Sequence, residues 1–137
     1  VLCCALPQHF LPGFYLLKKD DMNIQREAKL LRIFVGESDK HHLIPVYEKI
    51  VLAAREQGLA GATVFKGIMS FGGSSRIHTN KILRLSEDLP LIIEIVDEIE
   101  KIEKFLPFVD QLFTDANCGG LITIEKADVI KYTTGKN

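Results

Sequence analysis

Residues 29–36 read KLLRIFVG. In an extended chain Leu31, Ile33 and Val35 fall on one side, and Leu30, Arg32 and Phe34 on the other. This period of two predicts a strand. A second stretch of the same kind, LIIEIV at 91–96, is apolar except for Glu94. The fold follows from what connects and flanks these two strands.

Between them lie a helix, another strand and a long basic loop. Pro45 suits a first helical position, where its missing N–H would have no partner anyway. The helix predicted for 45–57 has Val46, Ile50 and Ala53 or Ala54 as its inner stripe and Gly58 as its C-terminal cap. A strand follows from 60 to about 69, with Ala62, Val64 and Lys66 on one side and Thr63 and Phe65 on the other. After 91–96, Asp97 and Glu100 resemble a helix N-cap and its capping-box partner. Ile99, Ile102, Leu106, Val109 and Phe113 then recur at helical spacing. Pro107 removes one helical hydrogen bond and predicts a kink or break near Glu103. A turn at 117–120 leads to a strand at 121–124 and a short fifth strand at 129–132.

The order β-α-β-β-α-β predicts a ferredoxin-like α/β (α+β) sandwich. It consists of an antiparallel sheet in the order 4-1-3-2 with both helices on one face. The other face is open, and alternation puts Leu30, Phe34, Ile92 and Val96 on it, with Ile122 and Ile124 as additions. That patch is too apolar for a soluble monomer, so oligomerisation through the open face is expected. Arg32 and Glu94 are read as a cross-strand ion pair within it.

The chain has 137 residues and a formal net charge of −1. The folded domain is assigned to 22–137. Residues 1–21 are apolar without a period, interrupted by Pro7, Pro12 and Gly13. They are read as a non-native or disordered extension, with translation starting at Met22. A short arm packing on a partner is the alternative. Near-neutral charge and the absence of a long basic run argue against nucleic-acid binding. Cys3, Cys4 and Cys118 make neither a disulfide framework nor a four-ligand zinc site, and they fit a reducing cytoplasm. No apolar run is long enough to cross a bilayer.

The stretch 58–84 reads GLAGATVFKGIMSFGGSSRIHTNKILR. It leaves a strand and loses hydrophobic pattern. Gly67, Gly72 and Gly73 punctuate it, Ser74, Ser75 and Thr79 supply hydroxyls, and Lys66, Arg76, His78, Lys81 and Arg84 supply positive charge. Such a loop is suited to holding an anion such as phosphate. A solvated connection between two strands is the plainer reading of the same composition.

Several segments together resemble the PII-like proteins, most closely their uncharacterised branch, the domain-of-unknown-function family 190. These are LLRIFVGESD from Leu30, GLAGATVFKGIMSFG from Gly58, SSRIHT from Ser74, LSEDLPLIIEIVD from Leu85 and GGLITIE from Gly119. The resemblance implies a ferredoxin-like homotrimer, and because the sequence offers no paired acid and base for turnover, the protein is expected not to be an enzyme. A small anionic effector, an adenine nucleotide, would bind in clefts between subunits. The loop after the second strand would regulate a target protein, with a membrane transporter or channel as the partner hinted at. Phe71-Gly72 and His78-Thr79 match pairs at the base of that loop. The 117–120 turn, with Gly119 and Gly120, falls at the glycine-rich phosphate loop, and Lys131 lies on the basic C-terminal strand. The implied ligand-binding residues are Gly67, Phe71, Gly72, Gly73, Ser74, Ser75, Arg76, His78, Gly119, Gly120 and Lys131. Three departures matter, the first being that no tyrosine between Phe71 and Arg84 matches the one modified in some PII loops. Gly120 stands where the nitrogen-regulatory PII proteins have a lysine, and Lys131 and Thr133 stand in place of two arginines.

The alternative is a ferredoxin-fold protein handling divalent metal, similar to the copper-tolerance relatives of PII, or an uncharacterised enzyme. Its metal would involve His41 and His42 with Glu37 and Asp39, or His78, although a surface loop is the plainer reading of the histidine pair. Ser75 with His78 lacks an assignable orienting carboxylate for nucleophilic catalysis. Cys118 is read as a small turn residue.

Overall fold

The computed structural model describes residues 27–73, the backbone of 77–79, and 89–133. The extension 1–21 and the start at Met22 lie outside the described residues, as do Ser74, Ser75 and Arg76. Within them the chain runs β1 (Glu27–Gly36), β2 (Lys40–His41), β3 (Ile44–Pro45), α1 (Val46–Glu56) and β4 (Thr63–Lys66). It continues as β5 (Met69–Phe71), β6 (Ile77–Thr79), β7 (Pro90–Asp97), α2 (Ile99–Ala116) and β8 (Leu121–Asp128). The main sheet is antiparallel in the order β4-β7-β1-β8, the ferredoxin-like arrangement expected. The β2–β3 and β5–β6 hairpins stand apart from it.

Both helices cover one face. The core joins Leu31, Ile33 and Val35 of β1 and Leu91, Ile93 and Ile95 of β7 to Val46 and Ile50 of α1 and Ile102, Phe105 and Val109 of α2. The α1 stripe is the one expected, with Ala53 and Ala54 both buried. Pro45 is the N-cap rather than the first helical residue. Its fixed φ also suits the extended backbone of β3, which pairs it with Lys40. Gly58 holds a φ of +74°, the left-handed conformation a glycine adopts without strain.

Several further expectations need correction. The strand expected from 60 to 69 ends at Lys66. There the Gly67 N–H donates to the Pro90 carbonyl at 2.7 Å, and a Cβ on Gly67 would lie 2.6 Å from the Pro90 ring. The buried stripe of α2 is Ile102, Phe105, Val109 and Leu112, so Leu106 and Phe113 flank it rather than centre it. The same helix runs unbroken through Pro107. Both Pro107 and Glu103 are on the exposed face, where water can satisfy the freed carbonyl. Ile122 and Ile124 belong to the helix-covered face, because they pair with Ile33 and Leu31 and directly paired residues share a face. Leu121 and Thr123 take the open side instead. Finally, 129–132 forms no strand: β8 extends to Asp128 and the chain then leaves the sheet.

Asp97 is also not the helix N-cap. It is the last inward position of β7, after Leu91, Ile93 and Ile95, and is fully buried. Glu98 caps α2 without a side-chain bond, and Asp97 Oδ1 accepts the Glu98 N–H at 2.8 Å. Among the described residues no helix is long and apolar enough to cross a membrane.

Candidate ligand groove

The starts and ends of the strands build a groove at one end of the open sheet face. Thr63 on β4 pairs with Glu94 on β7, and Val96 lies two residues further along the same side. On the other edge Ala127 of β8 pairs with Ala28, and both side chains are small. The chain beyond Asp128 then rises over this end of the sheet. Together the segment 60–63, Glu94, Val96 and the segment 127–132 line an open groove of about 690 Å³.

Two hydrogen bonds shape its rim. The Ala60 N–H donates to Asp97 Oδ2 at 2.8 Å, which ties the loop before β4 to the buried carboxylate. The Tyr132 hydroxyl donates to the Ala60 carbonyl at 2.7 Å, so the C-terminal segment is held to the same residue. Lys101 reaches Asp97 Oδ1 at 3.4 Å, one helical turn away.

Glu94 supplies a fixed acceptor in the groove wall. Arg32 Nε donates to Glu94 Oε1 at 2.7 Å, the cross-strand pair expected from the sequence. The guanidinium also engages Glu125 on the next strand, a partner that sequence reading missed. The Glu94 hydrogen bond, with the charge of Glu125, pushes the Arg32 pKa above its ordinary value despite partial desolvation. Lys131 is exposed and lines the groove, where it supplies the cation.

The structure does not bring the expected site residues together within one chain. Gly67, Phe71, Gly72, Gly73, Gly119 and Gly120 lie at or beyond the end of the sheet where β4 finishes and β8 begins. Lys131 follows the far end of β8. Seven residue steps of β8 separate the two ends, roughly 23 Å. Gly67 and Gly120 share an end but follow or precede opposite edge strands. Gly120 is closely packed: a Cβ there would run into the Phe113 ring and lie 2.7 Å from the Phe34 carbonyl. Gly72, Gly73 and Gly119 face open space. His78 has its backbone in β6, opposite Ser70, with its side chain outside the description. Lys66 pairs with Glu37 at 2.7 Å, which removes it from the cations the loop would offer. In the sequence Thr63 was read only as a strand residue, Glu94 as the partner of Arg32 and Val96 as part of the open apolar face. Their shared face with Phe65 and Ile92, together with the register, is the signal that links them to the groove.

The histidine pair is arranged differently from a metal site. Lys49 Nζ lies 2.8 Å from His41 Nδ1, so the lysine engages one of the two ring nitrogens a metal could use. The His41 and His42 rings lie 4.3 Å apart and tilted. Among the described residues no three of His, Cys, Asp and Glu gather as a metal site. Burial pushes the Cys118 thiol pKa up, and the Asp39 charge adds to it, so the thiol is not an activated nucleophile.

Comparison with known proteins gives a consistent picture. The profile of the DUF190 family, described as an uncharacterized ACR, matches residues 28–129. A UPF0166 protein of Aquifex aeolicus is 40% identical over 104 residues, covering 76% of this chain and 94% of its own length. A UPF0166 protein of Methanocaldococcus jannaschii is 38% identical over 108 residues, covering 79% of this chain and 96% of its own. Among solved structures, CPII is a nitrogen regulatory PII-like protein from Thiomonas intermedia K12, bound to ADP, AMP and bicarbonate. It superposes with a TM-score of 0.58 at 17% identity, covering 77% of this chain and 90% of its own. A second structure of that protein, with ADP and bicarbonate, gives a TM-score of 0.57. The chain therefore belongs to the DUF190 (UPF0166) family and has the fold of the PII-like proteins.

Proposed function

We propose that this protein is a non-enzymatic PII-like sensor that binds an adenine nucleotide between subunits of a homotrimer and regulates a partner protein. The observation that carries the reading is the groove. It combines apolar surface at Val96 and Ala127, hydrogen-bonding groups at Thr63 and Glu94, and one cation at Lys131. A purine can lie against the first, be oriented by the second and place its phosphate by the third. The neighbouring CPII structures with ADP and AMP support the same ligand class.

Assembly is the second part of the reading. Phe34 and Ile92 are only half-buried, and Phe65 and Leu121 are 48% and 56% exposed on the same open face. Packing these faces together would remove an apolar patch from water. It would also bring the glycine-rich end of one subunit, with Gly67 and Gly119, towards the groove of the next. The site residues that one chain keeps apart would then meet, with Ser74, Ser75, Arg76 and His78 adding donors from the loop.

The loop after β4 is the surface offered to the partner. Ile68 and Phe71 are each 71% exposed and Met69 is 53% exposed, around a hairpin detached from the main sheet. Exposed apolar side chains of this kind mark an interaction surface. The partner would be a target in or at a membrane, met by a cytoplasmic trimer.

Calorimetry with AMP, ADP and ATP, paired with an assay for phosphate release, tests the reading. Saturable binding without turnover is the expected result. Turnover, or no binding of any adenine nucleotide at millimolar concentration, would overturn it.

A further inference from the structure

Arg32 occupies an unusual position on the open sheet face. It stands among apolar neighbours on β1, with Leu30 and Phe34 on either side along its own face. It is bonded on one side to Glu94 and on the other to Glu125. One guanidinium held between two carboxylates on the flanking strands cannot swing freely, because its planar fork fixes the direction of each bond.

The consequence lies at Glu94. Arg32 engages Oε1. Among the described residues Oε2 has no partner, and Glu94 lines the groove. An ionised carboxylate oxygen accepts hydrogen bonds and donates none. The groove wall thus presents an acceptor of fixed position whose charge also repels phosphate. A ligand bound here must turn a donor towards Glu94 and its phosphate towards Lys131.

Resting on the reading of the groove as a nucleotide site, we propose that Glu94 selects a hydrogen-bond donor on the ligand and that Arg32 is the positioning residue that makes the selection possible. The donor is an N–H or O–H group: the amino group of the base or a hydroxyl of the ribose. A ligand with a carbonyl or a hydrogen at that place leaves the carboxylate facing a like partner or none, and the binding energy falls.

The test is calorimetry on the full chain with AMP, IMP, 2′-deoxy-AMP and 3′-deoxy-AMP. Replacing the donor that Glu94 reads weakens binding about tenfold or more, the loss expected for a hydrogen bond to a charged group. Weak IMP binding identifies the base amino group, and weak deoxynucleotide binding identifies the ribose. Glu94→Gln and Arg32→Met should both shrink that ratio to within about twofold, and Arg32→Lys should restore part of it. Light scattering and a melting curve on each variant check assembly and folding. A purely structural role for Arg32 would weaken all four ligands equally, and that result overturns the proposal. AMP binding with all analogues within twofold on the wild type also overturns it, while leaving the nucleotide reading in place. Failure of AMP itself to bind overturns both.

Discussion

The Asp97 carboxylate holds the Ala60 N–H on one oxygen and the Glu98 N–H on the other, each at 2.8 Å, with no exposure to solvent. One side chain therefore joins the loop before β4, the end of β7 and the start of α2. Replacing it with alanine strands two backbone donors. Each costs about 1–3 kcal/mol when left unsatisfied, so Asp97→Ala should lose roughly 2–6 kcal/mol. Urea unfolding measures it. A loss below about 1 kcal/mol would mean that water reaches both donors.

Gly119 and Gly120 are adjacent but should respond differently to substitution. A Cβ on Gly120 meets the Phe113 ring and the Phe34 carbonyl, and the carbonyl belongs to the central strand. Relief requires a backbone shift, so Gly120→Ala should cost about 1–3 kcal/mol. At Gly119 a Cβ meets nothing within 4 Å, so Gly119→Ala should stay within about 0.5 kcal/mol. Thermal melts of the two variants decide it, and equal melting temperatures would contradict the packing.

These residues show what the sequence could convey. Strand order and the inner faces of α1, β1 and β7 were legible because each has one dominant period. The face of β8 was not. Leu121 with Thr123 and Ile122 with Ile124 are both plausible inward sets, and pairing with β1 decides between them. Asp97 looked like a cap because a capping signature is local, whereas its burial depends on the strand before it. At the site, Lys131 was legible as a cation. Thr63 was legible only as a strand residue and Glu94 only as the partner of Arg32, because a groove depends on which strand ends meet in space. The contribution of 129–132 was misread as a strand, since a segment that crosses a sheet end has the same composition as one that joins it.

Assembly can be tested through the open face. Phe34→Asp or Ile92→Asp would place an unpaired charge in the proposed interface, at a cost of several kcal/mol. Light scattering should show a trimer for the wild type and a smaller species for either variant. A wild type that stays monomeric at micromolar concentration would refute the interface.

The Tyr132–Ala60 hydrogen bond predicts a separable effect on binding. Tyr132→Phe keeps the ring and removes only the donor to the Ala60 carbonyl. Loss of one such bond is worth about 0.5–1.5 kcal/mol, taken from the anchoring of the segment that carries Lys131. Hydrogen exchange should rise around 129–132 while β1 and β7 stay protected. Nucleotide affinity should fall by a factor of about 2–10. Unchanged exchange and affinity would show that the groove does not depend on this tie.

The phosphate count follows from the cations present. Lys131 is exposed in the groove, Lys66 is paired with Glu37, and Gly120 brings no charge. Glu94 and Asp128 add negative charge to the same walls. A triphosphate brings more charge than Lys131 and Arg76 can neutralise. AMP or ADP should therefore bind at least as tightly as ATP. Lys131→Ala should weaken binding by about 1.5–3 kcal/mol if its ammonium makes a charge-assisted hydrogen bond to phosphate. Added salt should weaken the wild type more than the variant, because the screened attraction is the one the variant lacks. Calorimetry with the three nucleotides at two salt concentrations separates these effects. ATP binding at least tenfold tighter than AMP and ADP, with Lys131→Ala indistinguishable from the wild type, would show that the phosphates are held elsewhere.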